Sequence, residues 1–345
     1  MAAEYTLPPI QSNPSTWYGP DWLSREDEWL SHFSTAEITE LEAAGERWDA
    51  LNKTGNIETI IVREFDLPTL APKLLKFREE LIHGRGFALL RGLPVANYTE
   101  REAAIIFCGI GSHLGLARPQ NAMGHLLGHV RDLGMSSTDP NVRIYQTKER
   151  QTFHTDSTDV VGLLCLNAAK SGGLSLLVSS NTIFNEMREQ RPDLLELLMG
   201  PIATDRRGET PKGMLPYYLI PVFNFYEGYL TAIYQRQYID SAQRFPDAPR
   251  LTPEHVEALN LFDELANDPR LNFSMRLEKG DIQFVYNHTL LHDRTGFEDW
   301  PEPENKRHLL RLWLSVPGDR PLPEIFASKF GSVEIGNRGG IVVNA

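Results

Sequence analysis

The sequence predicts a mostly β fold with α: a jelly roll dressed with flanking and inserted helices. Three observations lead there. After about residue 115, short apolar or alternating runs follow one another at close spacing, as strands of a closed or sandwiched sheet do. Before and between them stand stretches with helical periodicity and explicit capping signals. No repeat and no linker divides the 345 residues, so residues 1–345 read as a single domain, with 1–84 an N-terminal arm and helices packing on a core at about 85–320.

Residues 1–33, rich in Pro, Trp and Ser, read as an extended arm lying across the core. Ser34 and Glu37 form a capping box that opens a helix through about Trp48. Leu70 to His83 is amphipathic, with Gly84 as a cap. Residues 86–91 read as a buried strand, and Thr99 with Glu102 caps a helix running to about Leu114. Strands are expected at 143–147, 151–156, 160–166, 174–179, 217–225, 229–235, 273–277, 281–287 and 309–316. Glu227-Gly228 reads as a hairpin turn. Helices interrupt near 180–199 and 252–267, the latter with Thr252 as cap and Pro253 in its first turn.

Composition narrows the function. Gly plus Pro is 49 residues and apolar residues make up 41%, which is ordinary globular usage. The net charge of −12 disfavours nucleic acid and anionic lipid as partners, so a small-molecule substrate is expected. The two cysteines, Cys108 and Cys165, lie in apolar runs, which fits a reducing compartment. Neither a targeting signal at Met1–Pro9 nor a lipidation signal at Ile341–Ala345 is read, and no apolar run is long enough to span a bilayer. The expected location is cytoplasmic, with a homo-oligomer left open.

Chemistry concentrates in a few places. On a strand, His154 and Asp156 project to one face, as two facial metal ligands must. With ten histidines and 46 acidic residues, chance alone supplies about one His-x-Asp/Glu. A second, His255-Val-Glu257, lies in a helix pattern where the two side chains diverge, and reads as helix surface. His292, in a short polar segment after a strand ending at Asn287, could complete two His and a carboxylate, the donor set of non-heme Fe(II) oxygenases. His288 is its rival, or a hydrogen-bonded strand-end residue. Arg307 and Arg311, four apart on a strand, read either as salt-bridged structural arginines or as a fork for a dicarboxylate. Cys165 reads as buried strand, and Arg206-Arg207-Gly-Glu209 as a loop facing solvent or, alternatively, substrate.

His154-Thr-Asp156, Ser171-Gly-Gly-Leu-Ser175, Asn287 to Arg294 (Asn-His-Thr-Leu-Leu-His-Asp-Arg) and Arg307-x-x-x-Arg311 occur in that order. Together they resemble the TauD/TfdA family of Fe(II)- and 2-oxoglutarate-dependent dioxygenases, clavaminate synthase-like, over roughly residues 85–320. The resemblance implies a double-stranded β-helix (jelly roll) core. It implies that His154, Asp156 and His292 bind iron, and that Arg307 and Ser175 hold the distal carboxylate of 2-oxoglutarate. Arg311 would contact the cosubstrate or an anionic substrate. Fe(II), 2-oxoglutarate and O2 are the cofactors so implied. The reaction would oxidise a C–H bond of a small, carboxylate- or sulfonate-bearing substrate or secondary-metabolite precursor, with release of succinate and CO2. Asp156, where related halogenases carry a small residue, points to hydroxylation, desaturation or oxidative cyclisation. The alternatives are a non-catalytic jelly-roll binding protein and a metal oxygenase that does not use 2-oxoglutarate.

Overall fold

The computed structural model describes residues 7–53, 55–136 and 142–342. The first residues of the arm and the last residues of the C-terminal signal reading lie outside that range.

Two sheets face each other. The larger has the order Leu30–His32, Phe87–Arg91, Ile282–Tyr286, Val160–Asn167, His308–Ser315, Leu116–Ala117, with Leu127–Val130 also paired to His308–Ser315. The smaller runs Asn272–Met275, Ser175–Ser179, Leu290–Arg294, Gln151–His154. Their inner faces share one apolar cluster that includes Phe87, Val161, Leu177, Phe273, Val285, Leu290, Leu309 and Trp313. The outer face of the large sheet packs on helices Thr35–Leu51, Ala71–Ile82 and Glu100–Leu114. The outer face of the small sheet packs on Ser180–Gln190, Pro192–Leu198 and Pro253–Asn267. The layers are helix, sheet, sheet, helix, and this is the expected jelly-roll core with its flanking and inserted helices.

Burial on both faces explains the near-continuous apolar strands. All eight residues of His308–Ser315 are buried. Leu310, Leu312 and Leu314 point to the helices, while Leu309 and Trp313 point between the sheets. The period of two therefore carries Arg311 into the space between the sheets as well.

The helices begin where the sequence places them. Ser34, Thr99 and Thr252 each form a capping box, the last with His255, which explains that histidine's helix-surface position. Glu227 and Gly228, both at positive φ (47° and 85°), turn the hairpin between Phe223–Tyr226 and Tyr229–Ala232.

Four local expectations change. The arm is not simply extended: Pro20–Leu23 and Glu26–Trp29 are short helices, and Leu30–His32 joins the large sheet in parallel. Trp17, Trp22 and Trp29 seat it on Phe87 and Phe273. Residues 143–147 form a 3-10 turn at Ile144–Gln146, because the Arg143 amide donates to the Gln146 side chain at 3.2 Å. The run 217–225 is two strands, broken at Pro221. His292 stands in the middle of a strand, not in a polar connection.

Candidate metal and cosubstrate site

The small sheet sets the first two imidazoles. His154 ends the Gln151–His154 strand and lies directly across from His292 on Leu290–Arg294. Their ring centroids are 4.1 Å apart. Asp156, two residues beyond His154, brings its carboxylate to 3.9 Å from His154 Nε2 and 3.7 Å from His292 Nε2. The three donor atoms lie within 4.8 Å of one another.

Neighbouring groups fix each donor. His154 Nδ1 donates to the Thr152 carbonyl at 2.8 Å, which leaves the Nε2 lone pair facing Asp156. The Gln151 amide meets that Nε2 at 2.8 Å. Asp156 accepts from Trp313 Nε1 at 2.9 Å, and its backbone amide donates to Asn287 at 2.8 Å. Burial raises the Asp156 carboxyl, but Arg311, the two imidazoles and Trp313 outweigh it and hold it at about 2. Burial pushes His292 down to about 3, with His154 adding to the effect, and lowers His154 too. Near neutral pH the cluster is two neutral imidazoles and one carboxylate. His292 Nδ1 is buried without a hydrogen-bond partner among the described residues, and the set fits a divalent metal with positions left open.

Beside it lies a second pocket, lined by His154, Asp156, Ser175, His292, Arg294 and Arg307 among others. Arg307 precedes the His308–Ser315 strand and is 6% exposed. Its backbone amide donates to Asp299, but its guanidinium has no ion pair among the described residues. Burial lowers it to about 10. Ser175 donates to Gln283 at 3.0 Å. The Ser171–Ser175 glycines take positive φ: a Cβ on Gly172 would lie 2.2 Å from the Gly296 carbonyl oxygen.

Arg311 faces both this pocket and the cleft above it. Its Nε donates to Gln120 at 2.7 Å, and its Nη1 lies 3.8 Å from Asp156. The structure thus brings all six expected residues together. It adds Arg294, whose Nε and Nη1 are buried without hydrogen-bond partners among the described residues and which burial lowers to about 9. Arg294 shares the face of His292 by strand alternation, a signal hidden by reading that segment as a connection.

Other readings sort themselves. His288 Nε2 donates to Asp159 at 2.8 Å inside a buried network. There Arg338 binds Asp159 and Asp319, each at 2.8 Å. Glu100, His129 and His308 form a separate group near the surface. Cys165 is buried, and its thiol is pushed up to about 12. Of the two readings for its loop, Arg206 takes the inward one and lines the cleft over Asp156. Its Nη2 is drawn inward by the Ser328 carbonyl at 2.6 Å. Among the described residues no helix is long and apolar enough to cross a membrane.

Known proteins resemble this chain in sequence and in fold. Residues 51–313 match the family described as taurine catabolism dioxygenase TauD, TfdA family. The chain is 36% identical over 249 residues to the FR-33289 synthase of Streptomyces rubellomurinus, covering 71% of this chain and 73% of that protein. It is 32% identical over 322 residues to the taurine hydroxylase-like protein SAT17 of Stachybotrys chartarum, covering 88% and 81%. It is 31% identical over 252 residues to a uridine-5'-phosphate dioxygenase of an Amycolatopsis species, covering 68% and 87%. In fold it is similar to an asparagine oxygenase solved with Fe(II), hydroxyasparagine and succinate (TM-score 0.64, 18% identity, 83% of this chain and 93% of that one). It is also similar to the non-heme iron oxygenase OrfP solved with Fe, succinate and hydroxyarginine (TM-score 0.62, 12% identity, 83% and 94%). The chain belongs to the TauD/TfdA family of Fe(II)- and 2-oxoglutarate-dependent dioxygenases.

Proposed function

We propose that this family member oxidises a C–H bond of a small, anion-bearing substrate, with His154, Asp156 and His292 holding Fe(II) and with Arg307 and Ser175 holding 2-oxoglutarate. The observation that carries the reading is the convergence of three donors within 4.8 Å beside an arginine whose guanidinium has no ion pair among the described residues. An unpaired buried guanidinium is costly, and a dicarboxylate supplies the missing charge through paired hydrogen bonds. When bound, the iron and 2-oxoglutarate activate O2, with succinate and CO2 released.

The protein's own contribution is placement. Thr152 fixes the His154 tautomer, and Trp313 and Asn287 fix Asp156. Arg311, steered by Gln120, keeps Asp156 ionised and acts as a positioning residue. Val161, Leu163, Leu277 and Leu309 give the cosubstrate pocket an apolar side that limits water there. The cleft above holds the substrate so that one C–H bond faces the metal. The choice of an anion-bearing substrate draws on the uridine-5'-phosphate named in one relative. We further read the chain as one domain acting in the cytoplasm on small molecules, from its two buried free cysteines and acidic charge.

Anaerobic titration with Fe(II) and then 2-oxoglutarate tests the reading. The weak visible charge-transfer band of the chelate should form in the native protein and be absent in His154→Ala. Iron binding without that band would favour a metal protein that does not use 2-oxoglutarate.

A further inference from the structure

The cleft above the three ligand residues carries positive charge that the reaction described so far does not use. Lys329, on the short helix Ala327–Phe330, lines the same cleft as Asp156 and Arg311. Its Nζ stands 5.4 Å from the centre of the Tyr218 ring. Among the described residues it makes no hydrogen bond and no ion pair. Arg206 approaches the same ring, with Cζ 5.3 Å from its centre. Its donors go to backbone carbonyls, Leu215 at 3.0 Å and Ser328 at 2.6 Å, which orient the group without cancelling its charge. The second of these bonds ties Arg206 to the residue before Lys329.

The other charges of the cleft are spoken for. Arg143 pairs with Glu209. Asp205 is held by Arg244 at 3.1 Å and by Ser241 at 2.5 Å. Asp156 faces the imidazoles and Arg311. Two cations on one tyrosine ring are left without an ion pair among the described residues; the Asp156 carboxylate acts on Lys329 only at longer range. Desolvating such a pair is unfavourable in the empty protein, and burial pushes the Lys329 ammonium down to about 7. Charge of this kind, in a cleft rather than on the open surface, marks a place where a ligand completes the balance.

We infer that Lys329 and Arg206 form the subsite for a phosphoryl-type dianion of the substrate, a phosphonate or a phosphate monoester. Two uncompensated charges match a dianion, whereas a carboxylate or sulfonate leaves one of them unmet. The ammonium offers a compact point charge and the guanidinium a planar fork, which together suit a tetrahedral group with three oxygens. Arg311 is not the anchor, because Gln120 and Asp156 already engage it. The inference rests on the dioxygenase reading for what is done to the ligand, but not for its binding.

Calorimetric titration of the anaerobic Fe(II)- and 2-oxoglutarate-loaded protein, and of the metal-free protein, tests this with four probes: methylphosphonate, inorganic phosphate, methanesulfonate and acetate. Methylphosphonate should bind at least about tenfold more tightly than methanesulfonate or acetate, and Lys329→Gln should weaken it at least about tenfold. Lys329→Arg, which keeps the charge, should stay within about threefold of the native protein. Methylphosphonate binding unchanged in Lys329→Gln, or equal binding of methanesulfonate, overturns the inference. Inorganic phosphate binding well above methylphosphonate overturns the assignment to substrate and makes this a free-phosphate site. If the chelate band forms and methylphosphonate does not bind, this inference falls alone. If methylphosphonate binds through Lys329 and no band forms, the dioxygenase reading falls and the anion subsite stands.

Discussion

The Arg307 guanidinium crosses Gly173 with no room to spare: a Cβ built on Gly173 would sit 3.2 Å from Arg307 Nε and 3.5 Å from Cδ. Gly173 also has φ of 65°, where a side chain is strained. The second glycine of the Ser171–Ser175 segment thus sets the path of the arginine.

Gly173→Ala should therefore act on the cosubstrate without touching the metal. The backbone strain is about 1–2 kcal/mol. The displaced Arg307 should raise the KM for 2-oxoglutarate, while Fe(II) affinity stays near native. Steady-state kinetics with varied 2-oxoglutarate, beside an equilibrium iron measurement, separates the two; a native KM would detach Gly173 from Arg307.

Arg307→Ala removes the cation itself. Truncating one partner of a buried charge-assisted pair costs about 2–5 kcal/mol. The apparent affinity for 2-oxoglutarate should fall by about thirtyfold or more at that cost. Arg307→Lys should recover only part of the loss, because an ammonium cannot make the paired contact. An unchanged affinity in Arg307→Ala would return this residue to a structural role.

Asp156→Ala and His154→Ala should each lower Fe(II) affinity by more than about 100-fold, beyond the range seen for outer-shell partners. Iron retained after dialysis reads this, with circular dichroism as the check on folding.

Acid should destabilise the protein through His308. Burial lowers His308 to about 4, with Glu100 opposing and His129 adding to the shift. In the unfolded chain it titrates near its ordinary value. Between those two values the unfolded state binds more protons, so stability is present above the ordinary value and is lost as pH falls toward 4. Melting temperature should drop from pH 7 to pH 5, and the drop should be smaller in His308→Gln. Equal drops would remove His308 from the account.

Much of the fold was legible because the signals are local. Capping boxes at Ser34, Thr99 and Thr252 and the turn at Glu227-Gly228 are written in neighbouring residues. The small sheet was harder. Leu290–Arg294 carries a histidine, an aspartate and an arginine, because one face lines a polar pocket and Asp293 pairs with Arg150 at the other. Functional residues thus erased the apolar alternation that marks a strand, and Arg294 was missed with it. The cleft was least legible. Lys329 and Arg206 are more than a hundred residues apart in the chain, and only the return of the C-terminal segment over the sheets places them on one tyrosine.

That return is pinned by Arg338, fully buried between Asp159 and Asp319, and it carries Ile341 and Val342 into the cleft wall. Arg338, Lys329 and Ile341 all follow residue 313, where the match to the family ends. The three candidate metal ligands thus lie inside the matched stretch, while the wall of the cleft above them is built jointly by that stretch and by the residues that follow it.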